Sequence, residues 1–326
     1  MIHKTITLSE ERNVSFTTYF LENSPEYQNG IARPLIVVCP GGGYSFLSDR
    51  EGEPVALRFA NAGFHTVVLR YGIGEHAVAP GPLKDIADCV CYLKEHAGEY
   101  RIDRENIFVC GFSAGAHVAG QLGCFWNNKE LLPDYAGRQE MIRPAGMILC
   151  YPVLDLRQSV TDMDIGVSIS KSREEIDFDQ KHPKMPLESY FIADEASGHY
   201  LVDFEKAMNA YIFDGEYTDE QEDFYSLQNQ VSKDTPPAFL WHCAGDGLIF
   251  PANSLEFAGA LAREGIDYEL HIFNGGQHGI AMADYVTAND SGQYYAPAEK
   301  WMDLASCWVN RVSGFEEKIR THYIQA

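Results

Sequence analysis

Apolar residues fall along this chain in two rhythms. Short unbroken apolar runs occupy residues 35–39, 66–69, 107–110, 147–151, 239–243 and 268–273, and runs of this kind predict buried strands. Between them the apolar positions return with helical period. Over 82–96, Ile86, Val90 and Leu93 share one face with Ala97 just beyond, the stripe of a helix laid on a sheet. The segment 253–264 repeats the pattern through Leu255, Ala258 and Leu261, with Gly265 as its natural stop. Strand alternating with helix predicts an α/β fold, a mostly parallel sheet with helices on both faces. An amino-terminal pair, 5–8 and 14–19, adds an antiparallel edge.

The alternation lapses once, between Asp155 and Asp234. This stretch is polar, carries acidic patches at 174–177 and 216–223, and shows no strand–helix order. It predicts a cap-like insertion at about 155–234, above the carboxyl ends of the strands, within one domain spanning 1–326. The acidic patches read as solvated faces. The sequence shows no internal repeat and no low-complexity tract.

Charge narrows the partners. The chain carries 25 basic against 47 acidic residues, a net charge of −22, which argues against nucleic acid or an anionic membrane surface. No apolar run approaches the roughly 20 residues that cross a bilayer. The amino terminus lacks the charged stretch and apolar core of a signal peptide. A soluble, cytoplasmic protein is expected, with its oligomeric state left open, a homo-oligomer included. Cys39, Cys110, Cys150 and Cys243 end apolar runs, and Cys89 and Cys91 stand too close for zinc-type spacing. The eight cysteines therefore read as buried free thiols in a reducing compartment.

One stretch carries chemistry. In FVCGFSAGAH, Gly111 and Gly115 bracket Ser113 directly behind an apolar run and ahead of a helical segment at 114–122. A serine on a sharp strand-to-helix turn needs neighbours without bulk, and the turn aims free helix N–H groups at whatever the hydroxyl attacks. A bare glycine–serine loop would show the same letters, so the partners decide. In LIVVCPGGGYSF, Gly41, Gly42 and Gly43 follow a strand with their N–H groups bare, suiting an oxyanion hole completed by the N–H of Ala114. A dinucleotide or phosphate loop does not fit, since Phe46 stands where G-x-G-x-x-G needs its last glycine and the P-loop lysine is missing. Tyr44, beside this run, is a candidate for lining the substrate side.

Acyl transfer by serine also needs a histidine and a carboxylate to orient it. His278 lies in a glycine-rich loop after the last strand, in ELHIFNGGQHGIAM. His117 sits on the helix after Ser113 and His242 inside a strand, so neither has that freedom. Asp246 follows a strand in FLWHCAGDGLIFPANS, and Asp155, in YPVLDL, is its rival. Asp246 is favoured as the last strand-end acid before the histidine, giving the chain order Ser, acid, His.

The motifs PGGGY, GFSAGAH, YPV, DTPPAFLWH leading into GDGLIFPANS, and the QHG loop run in order over nearly the whole chain. Together they resemble an α/β-hydrolase of the bacterial carbohydrate-esterase-like group, which includes acetyl xylan esterase-like and feruloyl esterase-like proteins. The resemblance implies Ser113 as nucleophile, His278 as base, Asp246 as orienting acid, and the N–H groups of Gly42, Gly43 and Ala114 as oxyanion donors. It implies a serine esterase that takes small acyl groups, acetyl above all, from sugars or short xylo-oligosaccharides, with no metal or organic cofactor. Pro40 stands where many lipases carry the histidine of HGGG, as is usual in this group. The neighbouring reading is a formamidase-type amide hydrolase. A reading of a different class is a non-catalytic α/β-hydrolase serving as a binding protein, and against it stands a complete set of triad residues.

Overall fold

The computed structural model describes residues 1–22, 30–157, 170–172, 191–194 and 198–325. The main sheet comprises β1 (Thr5–Ser9), β2 (Val14–Tyr19), β3 (Arg33–Cys39), β4 (His65–Arg70), β5 (Ile102–Phe112) and β6 (Gly146–Cys150). A second, smaller sheet holds β7 (Ser170–Lys171), β8 (Phe191–Asp194) and β9 (His199–Val202), in the order β7-β9-β8. The chain then returns to the main sheet with β10 (Ala238–Cys243) and β11 (Tyr268–Phe273), completing eight strands in the order β1-β2-β4-β3-β5-β6-β10-β11. The first three neighbours pair antiparallel through β2, and every pairing from β4 to β11 is parallel. This is the mostly parallel sheet with an antiparallel amino-terminal edge that the apolar rhythm predicts.

The pleat divides the core in two. On β3, Leu35, Val37 and Cys39 face one cluster while Ile36 and Val38 face the other, the period of two that a strand imposes. The first cluster takes Ile86, Val90 and Leu93 from the helix Gly81–Glu95, Val118 and Leu122 from Ala114–Phe125, and Phe257 and Leu261 from Ala252–Glu264. The second takes Val55 and Phe59 from Glu53–Asn61, and Trp301 and Trp308 from Trp301–Ser313. One detail differs from the expected helix face: Leu255 is exposed while Phe257 and Ser254 are buried. The helix is rotated so that its aromatic residue, which buries more apolar area, meets the sheet.

Of the expected cap-like insertion at 155–234, residues 158–169, 173–190 and 195–197 lie outside the described residues, and with them the acidic patch at 174–177. The rest includes the helices Phe204–Ile212 and Asp219–Tyr225. The first is capped by Asp203, whose side chain accepts the Lys206 N–H, and the second by a reciprocal Thr218–Gln221 box. Met208 and Ile212 enter the first core cluster. Seven cysteines are buried and Cys307 is exposed, all of them free thiols. Among the described residues no helix is long and apolar enough to cross a membrane.

Candidate active site

At the end of β5 the chain turns into a helix within a single residue, Ser113, with φ 51° and ψ −118°. Side chains rarely adopt such a conformation, and surrounding structure must hold it. The flanking glycines are required by space. A Cβ on Gly111 would lie 2.2 Å from the carbonyl oxygen of Gly115, and one on Gly115 would lie 2.2 Å from that of Cys39. The helix thus starts in backbone contact with β3 and β5, and the serine stands at the carboxyl edge of the central strands.

The loop after β11 carries His278 to this edge. Its Nε2 lies 2.9 Å from Ser113 Oγ, and its Nδ1 lies 2.7 Å from Asp246 Oδ2. An ionised carboxylate only accepts, so Nδ1 holds the proton and Nε2 is free to accept from the serine hydroxyl. Asp246 sits in the turn after β10, its side chain fully buried. The N–H groups of Leu248 and Ile249 each donate to Oδ1 at 3.0 Å. Burial alone would push this carboxyl up, but the charge and hydrogen bonds of His278 and the hydrogen bond from His242 hold it well below the usual carboxylate range. For His278, burial opposes the charged ring, yet the Asp246 carboxylate prevails and Glu51 adds to it, raising the group above its ordinary 6.5.

Gly42 and Gly43 follow β3 with φ of 131° and 58°, values that glycine adopts freely and residues with a Cβ only at a cost. A Cβ on Gly42 would lie 2.1 Å from the Phe46 carbonyl oxygen, and one on Gly43 would lie 2.8 Å from the ring of Phe204. The Gly42 carbonyl takes the N–H groups of Ser45 and Phe46, which pins the loop. Among the described residues the N–H groups of Gly42, Gly43 and Ala114 have no acceptor within the protein. Spare donors beside a serine elbow are what a developing oxyanion requires.

Known proteins resemble this chain in sequence and in fold. The BD-FAE family model matches residues 24–261. The chain belongs to the BD-FAE family. It is 28% identical over 292 residues to endo-1,4-beta-xylanase B of Butyrivibrio fibrisolvens, covering 87% of this chain and 39% of that one. An acetylxylan esterase of Xylanibacter ruminicola is 23% identical over 331 residues, 98% of this chain and 56% of its own length. The chain therefore spans about two-fifths to just over half of these curated relatives. Among solved structures, the carboxylesterase Cest-2923 of Lactobacillus plantarum superposes with a TM-score of 0.74 at 26% identity, covering 97% of this chain and 98% of that one. An acetyl ester-xyloside bifunctional hydrolase of Caldicellulosiruptor lactoaceticus does so with a TM-score of 0.67 at 26% identity, covering 96% and 97%. The sheet order and these matches make the fold that of the α/β-hydrolases.

Not every expected site residue takes its place in this BD-FAE protein. Tyr44 is corrected: at φ 62° its ring turns into the core, and it is 1% exposed. The Tyr44 hydroxyl donates to His117 Nδ1 at 2.8 Å and accepts from Gln121 at 3.3 Å, while His117 Nε2 donates to the Tyr225 carbonyl at 2.9 Å. Burial lowers His117 to about 4, so this network is neutral and braces the loop from below. Asp155 does not meet His278. It accepts from the Ser226 hydroxyl and the Arg157 N–H instead. Sequence reasoning passed over His242 as a strand residue, yet its Nε2 donates to Asp246 Oδ2 at 3.1 Å and to the Ile249 carbonyl at 2.8 Å. The available signal was its position, four residues before the acid at the end of a strand.

Proposed function

We propose that this protein is a serine carboxylic-ester hydrolase that removes small acyl groups, acetyl above all, from sugars or short xylo-oligosaccharides. The observation that carries this reading is the unbroken hydrogen-bond series from Asp246 through His278 to Ser113 at a strained elbow. In the proposed reaction Ser113 Oγ attacks the ester carbonyl as His278 Nε2 takes its proton. The tetrahedral oxyanion is met by the N–H groups of Gly42, Gly43 and Ala114. Collapse breaks the bond to the sugar oxygen, which leaves with the proton from His278, and the acyl group remains on Ser113. Water then gives a proton to His278 and attacks the acyl carbon, and collapse breaks the bond to Ser113 Oγ, which takes the proton back from His278 as the acid is freed. Asp246 keeps Nε2 facing the serine and stabilises the imidazolium at each stage.

The sugar ester is supported by the names that related proteins carry, an acetylxylan esterase and an acetyl ester-xyloside hydrolase. The test is a paired screen of acetylated xylo-oligosaccharides and the matching acetamides, with Ser113→Ala and His278→Ala in parallel. Ester turnover lost in both variants, with the double variant little worse than either, is expected of residues acting as one unit. Amide turnover above ester turnover would move the protein to the formamidase type.

A further inference from the structure

Glu51 is a buried acid that the proposed reaction leaves unused. It is 3% exposed, and its neighbour Arg50 gives it no counter-charge, because that guanidinium donates to Gln293 Oε1 at 2.8 Å and the Thr287 carbonyl at 3.3 Å. Among the described residues it has no cation partner, and a carboxylate taken out of water that way is costly. Its two oxygens accept from two neutral donors. The Gly41 N–H reaches Oε2 at 2.8 Å, and the Tyr151 hydroxyl reaches Oε1 at 2.6 Å. With both oxygens accepting, Glu51 is the charged carboxylate.

Each donor belongs to a different half of the site. Gly41 opens the glycine run, and a Cβ there would lie 2.8 Å from Glu51 Oε2 and 3.1 Å from Ser113 Cβ. Tyr151 leaves β6 at φ 35° and meets the His278 ring edge-on, centroids 5.0 Å apart. Its hydroxyl oxygen also accepts the Ala281 N–H at 3.0 Å, three residues beyond His278. That oxygen is therefore an acceptor from one loop and a donor to Glu51. Burial and the Glu51 charge keep the phenol protonated.

We propose that Glu51 is a positioning residue that ties the glycine run 41–43 to the loop carrying His278 through Tyr151. The inference rests on the triad reading above. The tie fixes the donors for the oxyanion and the base relative to one another, and the Glu51 charge favours the imidazolium. The other groups facing His278 are Asp246 at Nδ1, Ser113 at Nε2 and Tyr151 at the ring edge, with His242 and Cys243 beyond Asp246 and the Arg50 guanidinium beside Gly279. Among the described residues, Asp246 and Glu51 are the two carboxylates that act on His278.

The experiment compares the pH dependence of kcat/KM for an acetyl ester in the wild type, Glu51→Gln and Tyr151→Phe, with thermal melting to confirm folding and Ser113→Ala as the control. Glu51→Gln should lose roughly 10–100-fold in turnover, as a small misplacement does, and its acid limb should move to lower pH. Tyr151→Phe breaks the tie but keeps the charge, so turnover should fall while the limb does not move down. Wild-type turnover in Glu51→Gln, or lost turnover with an unmoved limb, overturns the proposal. If Glu51→Gln does not fold, wild-type turnover in Tyr151→Phe overturns it. Turnover surviving in Ser113→Ala would instead sink the triad reading.

Discussion

His242 and His278 share one carboxylate oxygen: Asp246 Oδ2 lies 3.1 Å from Nε2 of the first and 2.7 Å from Nδ1 of the second. His242 is wholly buried, and its other nitrogen meets the Ser254 hydroxyl at 2.9 Å. It therefore draws charge from the same oxygen that holds His278. Replacing His242 by leucine should cost about 1–3 kcal/mol of stability, the usual penalty for unpaired buried groups, read by urea denaturation. The carboxylate, less neutralised, should hold the imidazolium more strongly. The acid limb of kcat/KM in His242→Leu should then move to higher pH, opposite to Glu51→Gln.

The choice between two acids gives a second prediction. Asp246→Asn leaves the His278 ring without the partner that fixes its tautomer and should cost roughly 10⁴-fold in kcat, as loss of a triad aspartate does. Asp155→Asn should stay within about threefold, because Asp155 serves Ser226 and the Arg157 N–H and a partly exposed contact of that kind is rarely worth more than ~1 kcal/mol. Steady-state kinetics on one acetyl ester decides between them.

The elbow and the sheet were legible in the sequence because each is a local matter of space. Gly111 and Gly115 are visible as letters, and their carbonyl neighbours explain them. Tyr44, Glu51 and His242 were not legible in the same way. Whether a tyrosine beside a glycine run faces substrate or core is decided by packing distant in sequence, here His117 and Gln121. A glutamate in SDREGEP reads as solvated charge until Gly41 and Tyr151, 100 residues apart from it in the second case, close over it. The phase of the helix Ala252–Glu264 is likewise set by which residue best fills the sheet, Phe257 and not Leu255.

Gly115→Ala tests the elbow as architecture. The added methyl would enter the carbonyl oxygens of Cys39 and Pro40, at 2.2 and 2.4 Å, and both are backbone that cannot swing aside. A loss of at least about 3 kcal/mol is expected, at the upper end of overpacking costs, measured by the shift of the urea midpoint. A midpoint within experimental error of the wild type would contradict the close approach of helix and strand.

Phe204 tests acyl selectivity. Its ring lies against the backbone of Gly43, one of the proposed oxyanion donors, and the expectation is that it forms part of the acyl wall. Phe204→Ala should raise butyryl relative to acetyl turnover about tenfold, equivalent to ~1.4 kcal/mol. An unchanged ratio of kcat/KM across the acetyl-to-butyryl series would remove Phe204 from the acyl wall.

Acidity supplies a further check. The base must be neutral to accept the serine proton, and kcat/KM reports the free enzyme. With His278 raised above 6.5, activity should fall on the acid side at a midpoint above that value. The same shift steadies the fold below pH 6.5 and is lost as pH rises through the folded value of His278. Asp246, shifted down from 3.8, contributes above that pH and loses its contribution as pH falls towards its folded value.

In the proposed reaction Ser113 carries the acyl group. Acid quenching during turnover of an acetylated xylo-oligosaccharide, followed by peptide mass mapping, reads this directly. An acetyl group is expected on the peptide containing Ser113, and none, with no turnover, in Ser113→Ala. Deacetylation continuing in Ser113→Ala, or an acetyl group trapped on another residue while Ser113 stays unmodified, would contradict it.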